Sequence, residues 1–81
     1  MVILKNITKI NNIVTAQYYM QDEKDLGYIE YDLKQKEIIG YQYNKEDTQN
    51  AIKRGLSKSV QAIELMSKYN KFPAEFEYSW Y

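Results

Sequence analysis

The sequence predicts an α+β domain: a four-stranded antiparallel meander, one covering helix and a returning C-terminal strand, in the order ββββαβ. β-rich segments separated by polar turns fill the chain up to Tyr43. One segment, from about Lys45 to Tyr69, instead repeats apolar residues every three or four positions. The last residues alternate again. A chain of 81 residues allows a single domain, 1–81, with one modest core.

The first two strands, Val2–Lys9 and Ile13–Gln21, are predicted to form a hairpin. Asn11 and Asn12 between them tolerate the positive φ angles of a two-residue turn. The parity of the first strand stays open, because apolar residues occupy both of its faces; either a bulge near Asn6 or burial on both sides explains this. In the second strand, the residues assigned to the helix side are Val14, Ala16, Tyr18 and Met20.

The third and fourth strands are predicted at Leu26–Leu33 and Glu37–Tyr43. A polar loop, Asp22–Asp25, precedes the third strand, and the turn Lys34–Lys36 follows it. The inward residues are expected to be Gly27, Ile29, Tyr31 and Leu33 in the third strand and Ile39, Tyr41 and Tyr43 in the fourth.

The helix is predicted from its apolar stripe, formed by Ile52, Leu56, Ser59, Val60, Ile63 and Met66. Gly55 and Ala62 border this stripe and are small enough to lie close against a sheet. Asn44 and Asp47 resemble a capping box at the start, and Asn70 followed by Pro73 predicts the end.

The last strand is predicted from about Ala74 to the end, with large aromatic residues on one face: Phe76, Tyr78 and Trp80. A crossover connection would let it pair with the first strand, either side by side or parallel to it, so its place in the sheet stays open.

The composition excludes most small-enzyme chemistry. There is no cysteine and no histidine, so thiolate sites and imidazole bases are absent, and we expect a non-enzyme with no cofactor. Eleven basic and eleven acidic residues cancel, and no apolar run is long enough to span a membrane. The expected location is cytoplasmic.

Carboxylates supply one candidate site. Glu30 with Asp32, and Glu75 with Glu77, share strand faces; if the two strands were neighbours, four carboxylates could hold Mg²⁺. The ordinary interpretation is that they occupy solvent-facing strand positions, so no metal site is predicted.

Tyrosines supply the preferred candidate. Tyr19 and Tyr28 fall on the face away from the helix, beside Ile13 and with Ile38 as a further neighbour, which is the composition of an interaction surface. The acidic neighbours Glu30 and Asp32 favour a protein partner or a homodimer over nucleic acid.

A basic helix face supplies the alternative. Its cations would contact phosphates in a nucleic-acid-associated protein, while the acidic segment Asp22–Asp32 would make the molecule dipolar. The residues are Lys53, Arg54, Lys58 and Lys68.

The overall pattern resembles short uncharacterised proteins of Gram-positive bacteria and their mobile elements. The likeness rests on the strand start Val2–Leu4, on Ile10–Asn12 before a tyrosine-rich strand, on Gly27–Ile29, and on the terminal Ser79–Tyr81. The resemblance implies no activity and no site.

Overall fold

The computed structural model describes residues 1–21, 23–44 and 54–79, with backbone only for Glu23 and Lys24. The strands and the helix within these residues follow the predicted ββββαβ order of an α+β domain. They are β1 (Val2–Ile10), β2 (Ile13–Met20), β3 (Glu23–Asp32), β4 (Glu37–Gln42), α1 (Arg54–Tyr69) and β5 (Glu75–Tyr78).

The five strands form one antiparallel sheet in the order β4-β3-β2-β1-β5. β5 pairs with β1, so that Val2 lies opposite Tyr78 and Lys5 lies opposite Glu75. This settles the position of the last strand: beside the first, and antiparallel to it. Because β4 and β5 are the two edges, the chain between them crosses the whole sheet, and α1 covers one of its faces.

A bulge at Asn6 decides the parity of β1. Asn6 has a φ of 53°, and the pairing of β1 with β2 shifts by one residue between Lys5 and Thr8. As a result Leu4 before the bulge and Ile7 after it both point toward α1 and are buried. Of the two alternatives for this strand, the bulge is confirmed.

A second bulge makes the prediction for β4 wrong at one residue. The pairing of β3 with β4 shifts between Glu30 and Tyr31, which leaves Ile39 as the extra residue, 48% exposed. Ile38 lies opposite Tyr31 and packs against the core instead of lying on the uncovered face. Tyr41 lies opposite Ile29 on the helix side of the sheet, as predicted.

Tyr41 and Tyr43 share the helix side of the last part of β4 and the residue after it. Their ring centroids lie 4.9 Å apart, Tyr43 packs against the core, and Tyr41 remains 56% exposed. A side chain on the helix side of this edge strand is therefore not necessarily buried.

The loop predicted at Asp22–Asp25 is also wrong in extent. β3 begins at Glu23, which pairs with Met20, so only two residues connect β2 to β3. Asp22 itself lies outside the described residues. The polar residues predicted a loop here, but residues 23–25 belong to β3.

The core lies between α1 and the sheet. α1 buries Gly55, Leu56, Ser59, Ala62, Ile63 and Met66, which confirms the described part of the predicted stripe and its small-residue border, except that Val60 is only half-buried. The four residues of β2 assigned to the helix side are all buried, as predicted. The predicted first part of the helix, with Ile52, Lys53 and the capping residue Asp47, lies outside the described residues.

α1 ends where the sequence predicted. Asn70 adopts a left-handed conformation with a φ of 53°. Its N–H donates to the carbonyl of Ser67 at 3.1 Å, and the N–H of Lys71 donates to the carbonyl of Met66 at 3.0 Å. This pair of bonds is a Schellman motif, which turns the chain sharply away from the helix axis.

Candidate interaction surface

The open sheet face, opposite α1, is the surface on which the sequence placed its candidate residues. Cross-strand partners share a face, so the register identifies its members. They are Ile3, Lys5, Thr8 and Ile10 in β1; Ile13, Thr15, Gln17 and Tyr19 in β2; Tyr28, Glu30 and Asp32 in β3; Glu37, Gly40 and Gln42 in β4; and Glu75 and Glu77 in β5.

Tyr19, Tyr28 and Ile3 form the main apolar cluster on this face. Tyr19 lies directly opposite Ile3, and Tyr28 lies opposite Gln17, one diagonal step from Tyr19. All three apolar side chains are half-buried. The sequence identified the two tyrosines but not Ile3, because the bulge in β1 determines which residue faces Tyr19.

Ile13 does not belong to the tyrosine cluster. Tyr19 lies six positions further along the extended strand, about 20 Å away. Ile13 instead lies opposite Ile10, which is 72% exposed, at the far end of the β1–β2 hairpin. The predicted surface therefore consists of two apolar spots with polar residues between them.

Hydrogen bonds between side chains fill the middle of the open sheet face. The Asn6 amide donates to Gln17, and the Thr8 and Thr15 hydroxyls bond each other. The Tyr28 hydroxyl donates to Glu30 Oε1 at 3.0 Å. Partial burial, together with this bond and the charge of Glu30, raises the pKa of Tyr28 above 10.0, so its hydroxyl is a neutral donor near pH 7.

The open sheet face is acidic. Among the side chains that the structure describes, it carries five carboxylates, those of Glu30, Asp32, Glu37, Glu75 and Glu77, against the one ammonium of Lys5. The carboxylate pairs of β3 and β5 are separated by three strand spacings, about 14 Å, so the condition for a shared Mg²⁺ site is not met. Within the described residues, no group of three or more acidic residues is arranged to hold a metal ion.

The basic helix face lies on the other side of the molecule. Arg54 and Lys68 are exposed on the outer surface of α1, while Lys53 lies outside the described residues. Lys58 Nζ lies 3.4 Å from Gln61 Oε1, and Lys68 Nζ lies 5.9 Å from the ring centroid of Tyr69. Over the described residues, cations on the helix layer and carboxylates on the open sheet face make the molecule dipolar.

Tyr31 and Glu64 both line a small cavity of about 230 Å³ on the helix side of the sheet. Burial raises the pKa of Tyr31 above 10.0, and the negative charge of Glu64 and a hydrogen bond to it raise the pKa further. The phenol is thus protonated at neutral pH and is unsuited to act as a base or nucleophile. The pair joins α1 to β3.

The Tyr31–Glu64 pair predicts a loss of stability at high pH. Because the pKa of Tyr31 is higher in the folded chain than in the unfolded chain, its contribution is complete below about pH 10 and is lost as the pH rises toward the folded value. The difference in unfolding free energy between the wild type and Tyr31→Phe should stay constant from pH 7 to 9 and shrink above pH 10. Urea titrations at each pH measure it; a constant difference would contradict the coupling.

Comparison with protein families, with curated proteins and with solved structures finds no match for this chain. Across the three described stretches, no helix combines the length and the apolar character that a membrane span requires. The function is therefore inferred from the surfaces of the chain itself.

Proposed function

We propose that this chain is a non-enzymatic protein-binding domain that docks a partner on its open sheet face. The cluster of Tyr19, Tyr28 and Ile3 supports this most directly: it is half-buried, apolar and aromatic, and lies on a sheet face that no described element covers. Tyrosine is enriched at protein interfaces because it combines apolar area with a hydroxyl that bonds at the margin. Sheets with one uncovered face commonly keep it polar, so an aromatic cluster there favours binding.

The charge of the open sheet face indicates the chemistry of the partner. A symmetric dimer that packed this face against itself would bring five carboxylates against the same five, which is repulsive. A partner with cations around an apolar centre fits better. A second copy can supply the cations by presenting its basic helix face, including Arg54 and Lys68, in a head-to-tail contact.

Sedimentation equilibrium across a range of concentrations tests self-association. If a second copy is the partner, the wild type associates, and the dissociation constant of the Tyr19→Ser/Tyr28→Ser variant is at least about tenfold higher. The reason is that each buried interface tyrosine contributes more than about 1 kcal/mol to the binding free energy. Tyr41→Ser is the matched control, since Tyr41 is exposed on the helix side. Association that the double variant does not weaken would contradict the proposal.

A wild type that stays monomeric would exclude a second copy and leave a different basic protein as the partner. Affinity capture from the source cell would then test whether such a partner binds the open sheet face. The proposal requires a protein that the wild type and Tyr41→Ser retain and that Tyr19→Ser/Tyr28→Ser loses.

The basic helix face supports nucleic-acid association as the second candidate. The observation in favour of this candidate is that one surface of α1 carries Arg54, Lys58 and Lys68, away from the acidic open sheet face. Glu64 lies on the same helix surface and weakens its attraction for phosphates. Binding through phosphates should fall steeply between 50 and 200 mM salt, with a slope of about −0.9 per contact on a double-logarithmic plot. No binding to duplex DNA or RNA at low salt would exclude this candidate.

A further inference from the structure

An apolar groove of about 640 Å³ lies at the sheet edge, between α1 and β5. Its walls come from three parts of the chain: Leu65, Met66 and Tyr69 from α1, Phe72 and Pro73 from the connection, and Phe76 from β5. The groove is on the helix side, so it is separate from the open sheet face. Its size falls within the range of small-molecule sites, about 300–1,000 Å³.

Backbone and side-chain hydrogen bonds fix the walls of the groove. The Schellman motif at Asn70 sends the chain away from α1, and the N–H of Ile7 donates to the carbonyl of Ala74 at 3.1 Å, which ties the connection to β1. Further along, the Tyr78 hydroxyl donates to Gln61 Oε1 at 3.0 Å and links β5 to α1. The groove is therefore preformed by the fold.

The lining offers little hydrogen bonding. Apart from the Tyr69 hydroxyl and the ammonium of Lys71, the side chains around the groove are aliphatic, aromatic or thioether. A peptide backbone laid along it would leave polar groups poorly paired, which disfavours a peptide as the occupant. An alkyl chain has no such groups to satisfy, so the lining favours a hydrocarbon occupant.

Cations surround the groove. Lys71 is part of its lining, Lys9 Nζ lies 5.7 Å from the ring centroid of Phe72, and Lys68 Nζ lies 5.9 Å from that of Tyr69. Three carboxylates adjoin lining residues along the chain: Glu64 lines the separate cavity beside Tyr31, and Glu75 and Glu77 belong to the opposite sheet face. A ligand that complements both the groove and its cations is an apolar chain that ends in an anionic group.

We propose that this groove binds a medium-chain carboxylate, whose alkyl chain fills the groove and whose carboxylate lies at Lys71. Lys9 and Lys68 add to the positive potential at the rim. The site does not depend on the open sheet face, so Tyr19→Ser/Tyr28→Ser leaves it unchanged.

Titration of the full chain with hexanoate, heptanoate and octanoate, below the concentrations at which they form micelles, tests the hydrocarbon part of the site. Each added methylene that enters the groove should tighten the dissociation constant about fourfold, which corresponds to ~0.8 kcal/mol. NMR shift changes should centre on Leu65, Phe72 and Phe76. Affinity that does not depend on chain length, or no saturable binding at millimolar ligand, would overturn the proposal and leave the groove to an apolar side chain of a protein partner.

Two variants test the two ends of the site. Lys71→Gln should weaken octanoate about fivefold, the upper range for an exposed ion pair, and leave 1-octanol unchanged. The matched control is Lys36→Gln, in the turn before β4. Leu65→Trp should narrow the groove and weaken binding of both ligands while the chain retains its cooperative melt. Equal weakening of octanol and octanoate by Lys71→Gln, or wild-type binding by a folded Leu65→Trp, would contradict the site.

Discussion

Gly27→Ala is expected to lower the melting temperature by roughly 10–20 °C, the equivalent of about 2–3 kcal/mol in a domain of this size. Gly27 lies opposite Tyr18, whose ring occupies the space above it. A Cβ atom at residue 27 would lie 2.3 Å from Tyr18 Cζ and 2.7 Å from its hydroxyl oxygen. Tyr18 is fully buried and its hydroxyl accepts the N–H of Asn44 at 3.3 Å, so the ring has no space into which to move.

Gly40→Ala provides the matched control for Gly27→Ala. Gly40 is also a strand glycine, but its added Cβ would meet Glu30 Oε1 at 3.2 Å, the end of a flexible side chain on the open sheet face. The change in stability should stay within about 0.5 kcal/mol. In a Tyr18→Leu background, the loss caused by Gly27→Ala should also shrink, because the ring is gone. Equal effects of the two glycine substitutions in thermal melts would rule out the ring contact as the cause.

Removal of residues 75–81 is expected to abolish cooperative unfolding. β5 places Phe76 and Tyr78 against the core and forms one of the two neighbours of β1. Without it, the backbone of β1 between Val2 and Lys5 loses its partners on the β5 side, and Val2 and Leu4, which are fully buried, become accessible from that side. Circular dichroism and thermal melts of the truncated chain provide the measurement. A cooperative melt would show that the core is complete without β5.

Two substitutions separate the side chains of β5 from its backbone. Phe76→Ser should cost about 1–2 kcal/mol, because Phe76 is half-buried against the core. Glu77→Ser, the adjacent residue on the opposite face, should change stability by less than about 0.5 kcal/mol. If both variants remained as stable as the wild type, the contribution of β5 would lie in its backbone pairing alone.

The two faces of a strand can be predicted from the sequence only where apolar residues recur at every second position. In β2 and in most of β3, buried apolar residues recur at every second position, so the period alone predicts which face each residue occupies. In β4, Ile38 and Ile39 are neighbours of equal hydrophobicity. Only the bulge opposite β3 decides which one points inward, and that bulge depends on the packing of the whole sheet.

The same limit applies to the surfaces. Parity along each strand was enough to place Tyr19 and Tyr28 on one face, but their contact with Ile3 depends on the register between strands, which the bulge at Asn6 shifts. The apolar groove could not be predicted at all. Its lining combines helix, connection and strand residues that only the tertiary fold brings together.

The position of β1 determines how this chain must fold during synthesis. Of the described strands β1 is made first, yet one of its two neighbours, β5, is made last. Until β5 arrives, the nascent chain presents a bare strand edge containing Val2–Leu4, which can pair with the same segment of a neighbouring chain. Contacts between segments this distant in sequence close slowly. High expression rates and crowded polysomes therefore expose this fold to intermolecular strand pairing, and the completion of β5 ends that exposure.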